Sequence, residues 1–305
     1  MQNQNYYETV VCNLCGSSEY KVKYKPTNTD FDPKEIFSAS GGIMGTQQIV
    51  ECKQCGMIYV NPRIKQDVVI SGYSDAEDEL YVSQEEGRIN TFKKALKLVE
   101  KYSPDKGKIL DIGAAAGFFL HVAKENGWET FGVEPSKWMS EWGNKKFNVN
   151  IKNGVLKDVK FENGFFDVVT MWDVLEHTPD PMSELKETAR ILKDNGILII
   201  NYPNIGSKLA RLAGSKWWFI LSVHLYHFTH KTIRAYLEKN GFEVIKISRY
   251  YQTLNLEHLV KMVGLYNKPI SNLGLKVVKL FRMGNLQIPY YASQANVIAR
   301  KVRSI

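Results

Sequence analysis

Runs of consecutive apolar residues alternate with amphipathic stretches from Lys108 to the end of the chain. Short continuous apolar runs are typical of strands buried on both faces, and apolar residues three and four apart are typical of one helix face. The sequence therefore predicts strands and helices in alternation, which is an α/β fold. The predicted strands are 109–112, 130–133, 149–151, 165–172, 197–200, 241–247 and 294–300, and the main predicted helices are 89–101, 136–147, 185–192 and 231–240.

The first predicted strand leads into a glycine turn framed by Gly113 and Gly117, and the next strand ends in an acid, Glu134. This succession is typical of a nucleotide-binding unit whose acid binds ribose hydroxyls. Ala115 stands where a dinucleotide site needs a second glycine, and Asp111 would place a negative charge beside phosphates. Both features favour a ligand without phosphate and with a cationic amine, S-adenosylmethionine (SAM). The alternative is a sheet that binds NAD, or no cofactor.

The stretch Asp111–Gly117 (DIGAAAG) resembles the first motif of class I SAM-dependent methyltransferases, and Gly132–Ser136 (GVEPS) resembles their second. The resemblance implies a Rossmann-like sheet of seven strands, the last antiparallel, and a methyl transfer reaction. Where the family commonly has a Gly-Asp pair near the adenine, Val155 replaces the acid, so we expect apolar and backbone contacts there. The residues implied for cofactor binding are Asp111, Gly113, Ala114, Gly117, Glu134, Pro135, Gly154, Val155 and Asp173.

The residues after the fourth strand, Asp173–Pro181, resemble the fourth motif of small-molecule methyltransferases, with its Glu-His pair. Ligands bind at the carboxyl ends of parallel strands, so His177 is a candidate base or hydrogen-bond partner of the acceptor. The alternative role of His177 is to orient the loop.

Three of the six histidines fall between His224 and His230. This segment resembles the substrate-covering region of the same family, and we expect one or two of His224, Tyr226 and His227 to face the acceptor. His230 is expected to cap the next helix. The spacing of the three histidines disfavours a metal site made of all three, because they share neither a helix face nor a strand face.

All four cysteines lie in two C-x-x-C pairs, each followed by a glycine. This pattern predicts one tetrahedral, structural Zn²⁺ site with four thiolate ligands, and disulfides are the competing interpretation. The long separation between the pairs favours a zinc ribbon with an inserted loop at 25–45. The predicted metal ligands are Cys12, Cys15, Cys52 and Cys55.

The motifs divide the chain into a zinc ribbon at 1–63, a linker with a helix at 64–107 and a SAM-binding domain at 108–305. We expect insertions at 203–230 and 251–291 to cover the substrate. The absence of a signal-peptide pattern and of a long apolar span predicts a cytoplasmic protein. The net charge of +8 favours acidic partners without choosing among nucleotide-sugars, anionic lipids and nucleic acids.

The sequence defines the reaction more closely than the acceptor. The resemblance favours a small-molecule acceptor, first of all a saccharide methylated on oxygen or carbon, and second a quinone or lipid-like phenol. A third hypothesis is a non-catalytic protein that binds RNA or a protein partner through the zinc ribbon, although the ribbon lacks an arginine-rich face. The helical pattern with scattered basic residues at 254–283 also allows peripheral contact with a membrane, and a packed helical cap is the favoured alternative.

Overall fold

The computed structural model describes residues 6–27, 47–74, 77–264 and 267–302, so most of the predicted inserted loop at 25–45 lies outside the described residues. The N-terminal part forms five short strands followed by three helices. These elements are β1 (Tyr7–Glu8), β2 (Tyr20–Tyr24), β3 (Ile49–Cys52), β4 (Ile58–Val60), β5 (Arg63–Ile64), α1 (Gln66–Ser74), α2 (Glu79–Ser83) and α3 (Glu85–Tyr102).

Strands and helices then alternate, as the apolar pattern predicts. The first half of this region consists of β6 (Lys108–Ile112), α4 (Phe118–Glu125), β7 (Glu129–Glu134), α5 (Lys137–Phe147), β8 (Ile151–Asn153), β9 (Phe166–Trp172), α6 (Pro181–Ile191) and β10 (Leu192–Pro203). The second half consists of α7 (Lys208–Ala213), β11 (Tyr226–His227), α8 (His230–Lys239), β12 (Phe242–Arg249), β13 (Gln252–Asn255), α9 (Leu256–Val263), α10 (Lys268–Leu280), β14 (Gln287–Tyr290) and β15 (Gln294–Lys301).

Seven strands form the central sheet in the order β12-β15-β10-β9-β6-β7-β8. β15 runs antiparallel to both of its neighbours, and the other pairs are parallel. Successive residues of a strand pack on opposite faces; Leu198 joins the core beneath α6 and α8, while Ile199 joins the core beneath α3, α4 and α5. The predicted seven-stranded Rossmann-like sheet with helical insertions is therefore confirmed.

The clearest departures from the predicted strand boundaries are in β8 and β10. β8 begins at Ile151 rather than at residue 149, because Asn148 ends α5 in a left-handed conformation with φ of 50°. β10 begins at Leu192, and its register against β9 shifts between Leu192 and Ile197. At the carboxyl ends, where ligands bind, β8 and β10 run on to Asn153 and Pro203, beyond the predicted ends at 151 and 200.

A second sheet joins the N-terminal part to the region of alternating strands and helices. Its strand order is β11-β4-β3-β2, and in β11 the residues Tyr226 and His227 pair with Tyr59 and Ile58 of β4. A strand from the predicted insertion 203–230 thus completes the sheet whose strand β3 ends at Cys52. Within the described residues, no helix combines the length and the apolar character that crossing a bilayer requires.

Candidate functional site

A cavity of about 790 Å³ opens at the carboxyl ends of β6, β7 and β9. Its base is the glycine turn after β6, and its sides come from α3, β13, the loop after β9 and the segment 218–224. Sites for small molecules commonly have volumes of about 300–1,000 Å³, and open α/β sheets bind ligands at this edge. The cavity is large enough for a nucleoside cofactor together with a small acceptor.

The glycine turn is held in a conformation that admits little substitution. Gly113 has φ of +68°, and a Cβ atom there would lie 2.5 Å from Cγ2 of Val174. Ala115 has φ of 44°, and its N–H donates a hydrogen bond of 2.8 Å to Oε2 of Glu134. Glycine at residue 113 therefore lets the backbone approach the cavity, which is what a backbone-bound ligand requires.

Glu134 ends β7 at the wall of the cavity and is largely buried. Its second carboxylate oxygen, Oε1, accepts a hydrogen bond of 2.8 Å from the N–H of Ser136. Burial raises the pKa of Glu134 to about 7, although the N–H groups of Ser136 and Ala115 lower it in part. The carboxylate is thus fixed in orientation and retains lone pairs for hydroxyl donors of a ligand.

Asp111 lies beneath the turn rather than at the cavity wall. It is 2% exposed, and its Oδ1 accepts a hydrogen bond of 2.7 Å from the hydroxyl of Thr170 on β9. Burial raises the pKa of Asp111 well above its usual value, against the opposing effect of the Thr170 hydrogen bond. The predicted contact of Asp111 with the methionine part of SAM therefore has no direct counterpart in the cavity lining.

The other predicted cofactor residues divide into two groups. Pro135, Gly154 and Val155 line the cavity beside Glu134. Ala114 is packed in the core against Gly132, and Gly117 begins α4 with φ of +74°. A Cβ atom at Gly117 would lie 2.9 Å from Cδ1 of Ile151, so this glycine allows the helix to pack on β8.

Asp173 is another acid at the cavity wall, and it has a strained backbone with φ of 55°. Its carboxylate accepts hydrogen bonds from the side-chain amides of Gln294 and Gln252. Burial raises the pKa of Asp173 to about 6, opposed by the Gln294 hydrogen bond and by the positive charge of Arg88. A left-handed non-glycine residue held by several partners is a common feature of functional sites.

The predicted Glu-His pair meets His224 across the cavity wall. The rings of His177 and His224 are in edge-to-face contact, with centroids 4.6 Å apart, and both histidines line the cavity. Nδ1 of His224 donates a hydrogen bond of 2.8 Å to the carbonyl of Phe219. Burial lowers the pKa of His224 to about 4 and that of His177 well below its usual value, so both rings are neutral near pH 7.

Glu176 lies just behind these two histidines. It is 1% exposed, and neither carboxylate oxygen has a hydrogen-bond partner among the described residues. Its carbonyl oxygen accepts hydrogen bonds from the N–H groups of Leu225 and Tyr226, which ties the loop after β9 to the insertion.

The structure places His227 and Tyr226 outside the cavity lining, although the sequence predicts them to face the acceptor. Both lie in β11 and are buried, because that strand pairs with β4. The Tyr226 hydroxyl instead accepts a hydrogen bond of 3.0 Å from Nη1 of Arg63 and donates one to the carbonyl of Pro179. Of the four predicted catalytic residues, His177 and His224 are the two that reach the cavity.

The four cysteines converge at one point. The Sγ atoms of Cys12 and Cys55 are 3.5 Å apart, as are those of Cys15 and Cys52. All four Sγ atoms lie within 4.8 Å of one another. The 3.5 Å separations are too long for a disulfide bond, whose S–S length is about 2.05 Å. They are close to the S–S spacing of about 3.8 Å in a tetrahedral site with Zn–S bonds of about 2.3 Å. The side chains present therefore fit a Zn²⁺ ion with four thiolate ligands.

Arg63 is a residue whose role the sequence did not indicate. It is mostly buried in β5, and Nη1 also donates a hydrogen bond of 2.6 Å to the carbonyl of Pro179, while Nε contacts Glu8. Asn13, between two of the cysteines, contacts Asp180 at the start of α6. The cysteine-rich part thus braces the loop that carries His177 from behind.

The sequence also does not predict the two side-chain amides that hydrogen-bond to Asp173. Gln252 and Gln294 lie in β13 and β15, about 40 residues apart in sequence, and no spacing rule relates two neutral amides to a distant acid. Arg88 covers the ring of Tyr81 at 3.5 Å, and both residues line the cavity. The one sequence signal for Tyr81 is an aromatic residue in an otherwise polar stretch.

Comparison with known proteins agrees with the geometry. A protein-family model described as "Methyltransferase domain" matches residues 84–247, which is more than half of the chain. A ubiquinone biosynthesis O-methyltransferase of Coxiella burnetii is 26% identical over 166 residues, which cover 50% of this chain and 71% of the relative. The enzyme of the same name in Maricaulis maris is 28% identical over 150 residues, 45% of this chain and 59% of the relative.

Solved structures share the fold at low identity. A SAM-dependent methyltransferase from Archaeoglobus fulgidus has a TM-score of 0.51 and 23% identity, and the match covers 73% of this chain and all of the other. A SAM-dependent methyltransferase from Thermotoga maritima has a TM-score of 0.50 and 20% identity, covering 73% of this chain and 94% of the other. These likenesses concern the architecture of the sheet and the helices around it.

Proposed function

The chain belongs to the methyltransferase-domain family and is a SAM-dependent methyltransferase, and from that premise we propose that it methylates a hydroxyl group of a small-molecule acceptor. One observation carries the proposal: Glu134, His177 and His224 all line a single cavity. When bound, SAM supplies a methyl group on a positively charged sulfur. The residues around it have to hold donor and acceptor in line and accommodate the acceptor proton.

The cofactor half of the cavity is the part around Glu134. Glu134 would accept hydrogen bonds from the ribose hydroxyls, and the backbone around Gly113 would hold the methionine part. Asp173 is the acid at the cavity wall that suits the cofactor's ammonium group, while Asp111 supports the turn through Thr170. Pro135, Gly154 and Val155 form the wall for the adenine.

The acceptor half is rich in aromatic side chains. Trp172 and Tyr250 stack with ring centroids 6.1 Å apart, and Trp218, Phe219 and Tyr290 also line the cavity. Aromatic walls suit a flat, partly apolar acceptor. Together with relatives named for ubiquinone biosynthesis, they support a phenol or quinol acceptor, which the sequence ranks second. The saccharide that the sequence ranks first has no such support and becomes the competing acceptor class.

His177 and His224 meet the acceptor hydroxyl. A neutral imidazole that donates from one ring nitrogen carries a lone pair on the other, and that lone pair can face a proton or a cation. In the overall reaction the acceptor O–H bond and the methyl C–S bond break, an O–CH₃ bond forms, and one proton is released. His227 and Tyr226 belong to the support behind this wall.

The four cysteines hold a structural Zn²⁺ ion in a ribbon at 1–63, and the insertions at 203–230 and 251–291 cover the acceptor. In the second insertion, α10 exposes Ile270, Leu273 and Leu280 beside Lys276 and Lys279. This combination suits peripheral contact with an anionic membrane surface.

The test is transfer of a labelled methyl group from SAM to matched panels of catechols, quinols and nucleotide-sugars, with products identified by mass spectrometry. Methylated phenols or quinols are the expected products. Methylation of nucleotide-sugars alone would show that the acceptor is a saccharide and would contradict a phenol or quinol acceptor. Salt-dependent RNA binding without turnover on any panel would contradict the enzymatic proposal and favour the third hypothesis.

A further inference from the structure

One carboxyl and two imidazole side chains converge at the acceptor wall of the cavity. The ligand-capable atoms of Glu176, His177 and His224 all lie within 4.8 Å of one another. Two of them follow β9 directly, and the third comes from the insertion. The N–H groups of Leu225 and Tyr226 donate to the Glu176 carbonyl and hold the two segments together. The cluster is therefore fixed by backbone contacts rather than by the side chains themselves.

The Glu176 carboxylate lacks what a buried carboxylate normally has. Both of its oxygens are buried, and neither has a hydrogen-bond partner among the described residues. Buried polar groups are nearly always paired, and an unpaired buried carboxylate is among the most costly groups a fold can contain. A bound cation would satisfy both oxygens at the place where the two imidazoles approach.

The two histidines are oriented as ligands are. The His224 ring donates from Nδ1 to the carbonyl of Phe219, and the His177 ring is hydrogen-bonded to the backbone of Val223. Metal-binding histidines almost always donate their other ring N–H to a carbonyl or carboxylate, which fixes the ring and its tautomer. Both backbone partners belong to one short segment, 219–223, so a single loop aims both rings.

We propose that Glu176, His177 and His224 form a second metal site, separate from the four cysteines, which binds a divalent transition metal ion such as Zn²⁺ or Mn²⁺. Two imidazole nitrogens and one carboxylate oxygen are the donor set of open catalytic sites, in which further positions remain for a ligand. His177 and His224 line the cavity, so the open side of the ion faces the acceptor.

This role rests on the proposed methyl transfer. The ion binds the acceptor oxygen and lowers the pKa of its hydroxyl, so that the proton leaves to solvent and the anionic oxygen takes the methyl group. The metal does not change oxidation state. Activity would then follow the metal content of this site.

The first experiment measures metal binding directly on the full chain, with the four cysteines already loaded with one zinc ion. Mn²⁺ is titrated and detected by electron paramagnetic resonance, since thiolates bind it poorly, and Zn²⁺ is titrated in parallel by calorimetry. One additional ion per chain is expected. Glu176→Gln and His224→Gln should each weaken its binding at least tenfold, because each removes a ligand.

A matched control is His258→Gln. His258 lines the same cavity and is not part of the cluster, so this variant should bind the metal like the unmodified chain. SAM titration reports whether each variant is folded. If Glu176→Gln fails to bind SAM and is therefore misfolded, the metal affinity of His224→Gln is compared with that of His258→Gln instead.

The outcomes separate this inference from the proposed function. The metal site is refuted if neither ion binds, or if Glu176→Gln and His224→Gln bind as tightly as the control. Methyl transfer that proceeds without any added ion would refute the role while leaving the methyltransferase proposal intact. Metal binding by a chain that transfers no methyl group to any acceptor would keep the site and overturn the proposed function.

Discussion

At the scale of single residues, Glu134 connects the glycine turn to the cofactor half of the cavity. Because its pKa lies near 7, the fraction that is ionised changes within the physiological range. Protonation removes an acceptor for the ribose hydroxyls and a negative charge that attracts the cationic cofactor. We therefore expect the affinity for SAM to fall below pH 7, approaching tenfold per pH unit, and to level off above it, as measured by calorimetry.

Glu134→Gln is the control for this pH dependence. It keeps the shape of the side chain and cannot ionise, so SAM should bind at least tenfold more weakly at pH 8 and with little pH dependence between 6 and 8. Asp173, whose pKa is about 6, would contribute a second decline at lower pH, which Asp173→Asn should remove. A pH dependence unchanged in Glu134→Gln would show that Glu134 does not bind the cofactor.

The histidines give a second prediction at this scale. His177→Gln and His224→Gln should each lower single-turnover methyl transfer about a hundredfold at saturating SAM, because both rings reach the cavity. SAM affinity should stay within twofold, since neither residue lies in the cofactor half.

His227→Gln is the matched comparison, because His227 is buried like His224 but lies in β11 and does not line the cavity. It should retain most of the methyl transfer rate. A loss as large as in His177→Gln would mean that the rate depends on the integrity of the loop rather than on contact with the acceptor.

At the scale of elements, β11 links the cysteine-rich sheet to the acceptor wall. Arg63 fixes this junction through Pro179 and Tyr226. Arg63→Met should lower the methyl transfer rate about tenfold, because the loop that carries His177 loses its hydrogen bond to Arg63. SAM affinity should stay within twofold, because Arg63 makes no contact with the glycine turn. Steady-state kinetics with both substrates varied, together with a SAM titration, would measure the two effects.

Lys53→Met is the control for Arg63→Met. Lys53 is exposed in the turn that follows β3, so this change removes an equal charge without touching the junction. Equal losses in the two variants, or a parallel loss of SAM binding in Arg63→Met, would contradict a supporting role for the ribbon.

The elements also show what the sequence could and could not predict. The seven strands of the central sheet were predicted within two residues at most ends, because continuous apolar runs and glycine turns are local signals. The sequence does not predict β11, because a strand of two residues has no periodicity. It forms only because it pairs with the edge of β4. The same reason explains why Tyr226 and His227, which the sequence predicts to face the acceptor, do not line the cavity.

The residues of the site also differ in whether a local sequence motif predicts their position. Gly113 and Glu134 follow from a motif and reach the cavity as predicted. Asp111 belongs to the same motif, but the hydroxyl of Thr170, 59 residues away in the sequence, holds its carboxylate beneath the turn. Contacts between distant neutral residues, such as those of Gln294 with Asp173, depend on the completed sheet and leave no local pattern.

At the scale of the whole molecule, a net charge of +8 accompanies an exposed apolar face on α10. Leu273 and Leu280 are 66% and 76% exposed, so substituting them should not disturb the fold. We expect the chain to sediment with vesicles that contain anionic lipid, less so at high salt, and the double variant Leu273→Gln and Leu280→Gln to lose most of this binding.

Leu212→Gln is the control for the vesicle experiment, since Leu212 is 86% exposed on α7, outside the proposed face. It should bind vesicles like the unmodified chain. Sedimentation that is equal for neutral and anionic vesicles, or unaffected by the double variant, would leave α10 as a cap with no lipid partner.

The hydrogen bond between Asp173 and Gln294 spans 121 residues of the chain. On a ribosome that adds about 5–20 residues per second, Gln294 is made some 6–24 seconds after Asp173. The glycine turn and Glu134 precede Gln294 in the chain, whereas Asp173, the acid placed beside the cofactor's ammonium group, receives its amide partner only at the end of synthesis. The part of the cavity proposed to hold the methyl donor is therefore complete only when almost the entire polypeptide has left the ribosome.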